Sequence, residues 1–343
     1  MKNIIEIGRT ANAALAARLY AAAQAPQFNP FAAAGHGQIT TANATLFVQA
    51  HFSEPLTTYA TGWRDPEGYE DRSEFLAPTL PPSGERYEHI TFPNAEAFLS
   101  DGSYDDLRSI NADFKTVEYS QDKSQRTIPN RGLRIVLDWD RIKNMPNWQE
   151  FYTNMLLQRL ARNAFRRKYA LAVASAVDVP LVWDAAGAAD PDHAVASQAA
   201  ASGDLTGVRP TSALWGLEAK LLRLQCYGAT NAAKAVAGRA MTPEQASAMA
   251  GLSAQVDESR YQSSATAKSR IVGSKVLLFT GAPASTMDPS NFKTAKAATQ
   301  QGGMRAVYVR QLTVKQWEIV VECYETEFAA STLGVRTLSI TAA

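Results

Sequence analysis

The sequence predicts an α+β fold, and three features carry that prediction. Glu258–Ala343 is a dense run of short segments in which apolar and polar residues alternate, one long helical pattern follows Pro146, and Arg209–Gln225 passes from a short strand directly into a helix. A chain of 343 residues exceeds one ordinary core and divides into lobes. The hydrophobic fraction of 46% allows well-packed cores, and 20% charged residues with a net charge of +1 do not fit a disordered chain.

Taken in order, Ile4–Ala25 is alanine-rich and sets Ile4, Ile7, Ala11, Leu15 and Leu19 at helical spacing before Pro26, which predicts an amphipathic helix. From Gln27 to Pro93 the prolines Pro30, Pro55, Pro66, Pro78, Pro81 and Pro82 predict irregular chain that forms no globule by itself, with a strand only at Thr45–Phe52. Phe114–Tyr119 and Arg131–Trp139 alternate on either side of the polar tip SQDKSQ and predict a hairpin. Pro146-Asn147 then opens the longest helix, reaching about Ala176 and spanning roughly 45 Å. Its buried stripe runs through Trp148, Tyr152, Met155, Leu156, Leu160, Ala164 and Leu171.

RPTSALWGL reads as a short strand entering a helix that continues through Leu221, Leu222 and Leu224. At Thr242-Pro243-Glu244-Gln245 a Thr cap, Pro at the first position and Gln three after the cap mark another helix start. Ser269–Phe279 predicts a hairpin turning at Gly273-Ser274. The following TGAPASTMDPSNFKTAKAATQQGG, rich in Pro, Gly, Ser and Thr, predicts a long exposed excursion. Arg305–Gln311 and Val314–Thr326 place Val307, Val309, Trp317, Ile319, Val321 and Cys323 at a period of two, a half-buried antiparallel pair, and STLGVRTLSI adds one more strand.

Charge is unevenly distributed. Glu54–Asp122 holds 15 acidic and 5 basic residues, whereas Lys123–Pro180 holds 11 basic and 4 acidic. Such blocks either pair within one subunit, stand as two solvated faces, or steer one copy of the chain onto another.

Chemistry-bearing motifs are sparse. The sequence has no Walker lysine loop, no GxGxxG after a strand, no GxSxG elbow and no spaced His and carboxylate cluster. His36, His51, His89 and His193 are scattered, and Cys226 and Cys323 are expected to be reduced and buried, so neither a metal nor a cofactor is expected. Asp138 and Asp140 either hold a cation or cap the following turn, and their place at a strand end favours caps. No apolar run approaches the roughly 20 residues that cross a bilayer. Met1–Thr10 contains Glu6 and Arg9, which does not fit a signal-peptide core, so a cytosolic chain with no membrane partner is expected.

The order YQSSATAKSRIVGSKVLLF, DPSNF, RAVYVRQLTVKQWEIVVECYET and STLGVRTLSI resembles the C-terminal part of the major capsid proteins of tailed bacteriophages. This is the Hong Kong 97-like shell fold, also seen in encapsulins and in the floor of herpesvirus capsids. RGLRIVLDWDRI leading into the long helix fits the same arrangement. The resemblance covers Phe114–Ala343 well and the preceding residues loosely. It implies an N-terminal helix and arm over 1–93, an extended hairpin over 94–140, a peripheral domain with a spine helix over 141–200 and 320–343, and an axial domain over 201–319.

The function so implied is a major capsid protein whose copies form the hexamers and pentamers of an icosahedral head around double-stranded DNA. The head would be a virion component assembled in the host bacterial cytoplasm. Many chains of the family start with a scaffolding region that is later cut away; here a separate scaffolding protein is expected, together with a portal. Glu118, Asp122, Lys123, Arg126 and Arg131 are the expected inter-subunit residues of the hairpin. Some shell proteins of this fold crosslink a hairpin lysine to a neighbour's asparagine, and Lys123 lies at the expected tip, although no matched partner is evident. Arg159, Arg162, Arg166, Arg167 and Lys168 are the expected basic face of the spine helix, turned to packaged DNA in non-specific contact, to a neighbour's acidic arm, or simply to solvent. An encapsulin-type cellular compartment and a soluble α+β enzyme of unrecognised type are the competing readings.

Overall fold

The computed structural model describes residues 51–81, 84, 86–91, 107–108, 110, 113, 122–183, 190–228, 233–281 and 290–342. The predicted helix Ile4–Ala25, most of the strand predicted at Thr45–Phe52, and Phe114–Tyr119 lie outside them.

The long helix is found where the sequence places it. It spans Trp148–Ser175, here α4, with Asn147 at its N-cap position. Its first half packs Leu156 and Leu157 against one sheet, and its second half sends Phe165, Tyr169 and Ala172 towards another. Met155, expected in the buried stripe, is half exposed, because the stripe follows Thr153, Leu157, Ala161 and Ala164 instead.

The first sheet is built on β12 (Gln316–Ala329). On one side it pairs antiparallel with β11 (Arg305–Thr313) and β10 (Phe292–Ala297), on the other with β3 (Asn130–Asp138). The predicted pairing of β11 with β12 is present, and Val307, Ile319 and Val321 face α4 as the period of two requires. Among the described residues β3 pairs with β12. Its register opposes Leu137 to Trp317 and Ile135 to Ile319, which buries its apolar face in the sheet core. After β3 the Asp138 side chain accepts from the Asp140 N–H and caps the short helix α3 (Trp139–Ile142), the cap reading of that pair.

β10 corrects the exposed excursion expected between Thr280 and Gly303. FKTAKA has few large apolar residues, yet it is buried almost throughout. The backbone of Pro78–Leu80 closes its other edge through Thr294 N–H to the Pro78 carbonyl and Leu80 N–H to the Thr294 carbonyl, both 2.9 Å.

The front segment is also more ordered than its prolines predict. Glu54–Gly62 forms α1 and Tyr69–Leu76 forms α2. Pro55 occupies the first turn of α1, where a missing N–H is tolerated. Pro66 lies in the Asp65–Gly68 turn that leads into α2, and the Asp65 carboxylate accepts from the backbone N–H of Glu67 and Glu70. Leu56, Ala60, Tyr69, Leu76 and Ala77 are buried within this subunit, so the expectation that this stretch has no core of its own fails for residues 53–80.

The second sheet has the order β4 (Val177–Trp183), β13 (Arg336–Ala342), β9 (Lys275–Phe279), β5 (Ser212–Gly216), β6 (Ser253–Asp257). Its central strands, SALWG and KVLLF, are apolar on both faces because both faces are covered. Leu214, Leu277 and Phe279 meet α2 and α4 on one side. Ala213, Trp215, Val276 and Leu278 meet α5 (Pro191–Thr206) and α6 (Leu217–Gly228) on the other. A helix α7 (Ala233–Ala240) and the capped α8 (Pro243–Met249) follow, the latter with the full Thr242–Gln245 capping box anticipated from sequence.

The hairpin predicted at Ser269–Phe279 is absent. Gly273 adopts a left-handed φ of 66° and turns the chain, but β9 inserts between β5 and β13, where both its apolar faces are buried. The upstream β8 (Lys268–Arg270) pairs instead with β7 (Arg260–Gln262) as a small separate ribbon. Gly216 permits the crossing, since a Cβ there would lie 1.9 Å from the Gly273 carbonyl oxygen.

Candidate interaction surface

A second two-stranded ribbon is formed by β1 (Arg86–Thr91) and β2 (Asp122–Thr127). Among the described residues its packing contacts lie at one end, where Ile128 is buried with Leu80 and Phe328, and the Tyr87 ring packs on Phe328 at 5.4 Å. Beyond that anchor Glu88, Gln125 and Arg126 are exposed. Two strands alone in water are marginally stable.

The expected hairpin residues divide accordingly. Asp122 and Lys123 lie within β2, opposite Thr91 and Ile90, so Lys123 occupies a strand and not a tip. The SQDKSQ segment, predicted as a polar tip, is in part this strand, and its pairing partner Arg86–Thr91 lies in the stretch whose prolines predict irregular chain. Arg126 is opposite Tyr87 and exposed. Arg131 belongs to β3 and is held inside the subunit, with Nε donating to the Glu325 carbonyl at 3.1 Å and the guanidinium 3.7 Å from the Glu327 carboxylate. Glu118 lies outside the described residues.

The five basic residues of the spine helix do not form one solvated face. Arg159 is exposed. Arg162 donates to the Tyr69 hydroxyl and to Glu67, both at 3.1 Å. The Tyr69 hydroxyl, and behind it Arg162, holds the Glu67 carboxyl below the usual carboxylate range. Arg166 stacks on the Tyr261 ring at 3.8 Å. Arg167 is paired with Glu325 and Glu327 of β12. Lys168 is buried, its Nζ donating to the Ser73 and Ala77 carbonyls at 3.3 and 3.4 Å, where it ties the C-terminal end of α2 to α4. Burial takes this amine down to about 8, against the nearby carboxylates of Glu325, Glu74 and Glu327, which pull it up. The acidic and basic blocks of the sequence therefore meet in part within one subunit, through Glu67 and Arg162, while Glu70 pairs with Arg305 of β11.

Sequence reasoning missed the surroundings of Arg166. Tyr261, Arg260 and Lys268 belong to the β7–β8 ribbon, which faces Arg72 of α2 across a cleft. The signal in the sequence was the basic residues interleaved in SRYQSSATAKSR, which read there only as strand. Cys226 is buried in α6, and Cys323 is half-buried in β12, where burial takes its thiol up to about 12. Among the described residues no group of three or more His, Cys, Asp or Glu is placed to hold a metal ion, and no helix is long and apolar enough to cross a membrane.

Neither family models nor curated proteins match the chain. Solved structures do. A phage-related protein from Bordetella bronchiseptica RB50 superposes with a TM-score of 0.61 at 16% identity, over 84% of this chain and 96% of that one. The chain shares that protein's fold. The capsid of cyanophage P-SCSP1u follows at a TM-score of 0.49 and 13% identity, over 82% and 90% of the two chains. Mycobacterium phage Che8 follows at 0.48 and 11%, over 80% and 92%. The α+β class expected from the sequence is thus observed, in a fold shared with that phage-related protein.

Proposed function

We propose that this chain is the major capsid protein of a tailed phage or prophage, a structural subunit and not an enzyme. Copies form hexamers and pentamers that close an icosahedral head around double-stranded DNA. The observation that carries this reading is the fold shared with the phage-related protein over most of both chains. The β1–β2 ribbon supports it, since a ribbon anchored at one end gains its stability from contact with another molecule. In this reading 1–93 is the arm, 94–140 the extended loop, 141–200 with 320–343 the peripheral part and 201–319 the axial part. The two large sheets interlock these parts, because β10 and β11 pair with β12 while β13 pairs with β4 on one edge and β9 on the other. A separate scaffolding protein, a portal and non-specific contact with DNA complete the partners, and the head is assembled in the host cytoplasm and carried in the virion.

Negative-stain electron microscopy of the chain expressed with and without its neighbouring phage genes tests this. Closed shells of uniform diameter support it, whereas a small, fixed oligomer under all conditions overturns it. Shells that assemble around a protein cargo, with no scaffold and no DNA, would favour the encapsulin-type compartment.

A further inference from the structure

A cleft of about 620 Å³ opens where α2, α4 and the β7–β8 ribbon meet. Arg72, Arg162, Arg260 and Lys268 line it against Glu67 and Glu258, four cations to two carboxylates. Glu67 is matched by Arg162 in the wall, and Arg72 lies 3.7 Å from the buried Asp257. Arg260 and Lys268 are exposed and form no ion pair among the described residues. At the rim the face of Arg166 is taken up by the Tyr261 ring, which leaves its in-plane N–H groups for a carboxylate. Tyr261 and Leu217 add apolar surface.

The shape selects the ligand. A cleft of this volume admits the side chains of a short extended peptide but not a DNA duplex, whose phosphates would meet only its rim. The β7–β8 ribbon also pairs with no further strand among the described residues, so its outer edges can receive one. The matching chemistry is present in the chain itself. Residues 96–122 hold 7 acidic residues against 2 basic ones. Within that stretch Leu107 is 73% and Ile110 93% exposed, beside Asp105 and Asp106. It is joined to the end of the β1–β2 ribbon remote from the ribbon's anchor.

We propose that the cleft between α2, α4 and the β7–β8 ribbon of one subunit receives the acidic segment Asp105–Asp113 of a second copy. This rests on the self-assembling reading above. It adds the receiving site and its recognition chemistry, carboxylates against Arg166, Arg260 and Lys268, with Leu107 and Ile110 against Tyr261 and Leu217.

Charge swapping tests it. One variant reverses the cleft (Arg260→Glu with Lys268→Glu), the other the segment (Asp105→Lys with Asp106→Lys). Each alone places like charges together in every contact, and shell yield should fall by roughly tenfold or more. An equimolar mixture restores opposite charges in both contacts only when segment and cleft belong to different copies, so mixing should recover shells. Either variant assembling like the wild type, or a mixture that fails while both variants keep the wild-type melting temperature, overturns the proposal. Zero-length carbodiimide crosslinking of wild-type shells grown from isotopically light and heavy subunits provides a second measurement. Mixed-isotope links from Lys268 to Asp105 or Asp106 are expected, and links confined to single copies would overturn it. A wild type that forms no shells would instead defeat the capsid reading itself.

Discussion

Lys168→Met should stabilise the subunit at neutral pH, even though it removes two hydrogen bonds. Lys168 is 4% exposed, and burial lowers its amine from 10.5 to about 8. Below the folded value the lysine carries its proton in both states, and the folded state bears the full penalty of holding the charge in a low-dielectric site. That penalty is about 3.5 kcal/mol, the fall from 10.5 to about 8 at roughly 1.4 kcal/mol for each tenfold change in proton affinity. Between 8 and 10.5 the unfolded chain binds more protons than the folded one, so wild-type stability gains with rising pH through that window. Methionine has a similar length and no charge. Against its gain stands the loss of the contacts to the Ser73 and Ala77 carbonyls at 3.3 and 3.4 Å, each about 1 kcal/mol. The net expectation is a gain of about 1–2 kcal/mol at pH 7, or about 1–3 °C in melting temperature for a chain of 343 residues. Denaturant unfolding of wild type and variant at pH 7, 8.5 and 10 reads this directly, because every other titrating group is common to both. The advantage of the variant should shrink as pH rises. A variant less stable than wild type at pH 7, with a difference independent of pH, would show that Lys168 acts as a helix-tethering cation whose hydrogen bonds outweigh its burial.

Three further substitutions probe the packing. Asp192→Ala removes the carboxylate that Arg223 grips at 2.6 and 2.8 Å, and since the arginine side chain is fully buried the loss should be about 3–5 kcal/mol in denaturant unfolding. Asn291→Ala breaks three bonds at once, from the Thr280 N–H and to the Ser331 and Leu333 carbonyls, and should lower stability by about 2–4 kcal/mol, with a loss under half a kcal/mol contradicting that role. Gly216→Ala places a methyl 1.9 Å from the Gly273 carbonyl oxygen, so soluble yield and melting temperature should both collapse, and a wild-type melt would contradict the close crossing of β5 over the Gly273 turn.

What the sequence reveals and what it conceals follow from how much each element signals locally. α4 carries its own stripe and start signal, the β11–β12 pair its own alternation, and α8 its own capping box, so all three are legible. α1 and α2 are short, and the prolines around them read as breaks although Pro55 begins a helix. β10 is made of Thr, Ala and Lys, and becomes a buried strand only because Pro78–Leu80 and β12 close both its edges. Strand partners were the least legible feature. Nothing in Arg131–Trp139 or Lys275–Phe279 says that they have neighbours far away in sequence at β12 and β13, because alternation marks a strand without naming its partner. The basic run on α4 was visible as composition, but which members are spent inside the subunit depends on Glu67, Ser73 and Glu325, residues brought in by other elements.

The mass of the particle formed by the purified chain tests the central claim most directly. Charge-detection mass spectrometry should find a megadalton species whose mass is a whole-number multiple of the 37.2 kDa chain. A species that stays at one or a few chain masses at every concentration and ionic strength, with or without its scaffold, would contradict it.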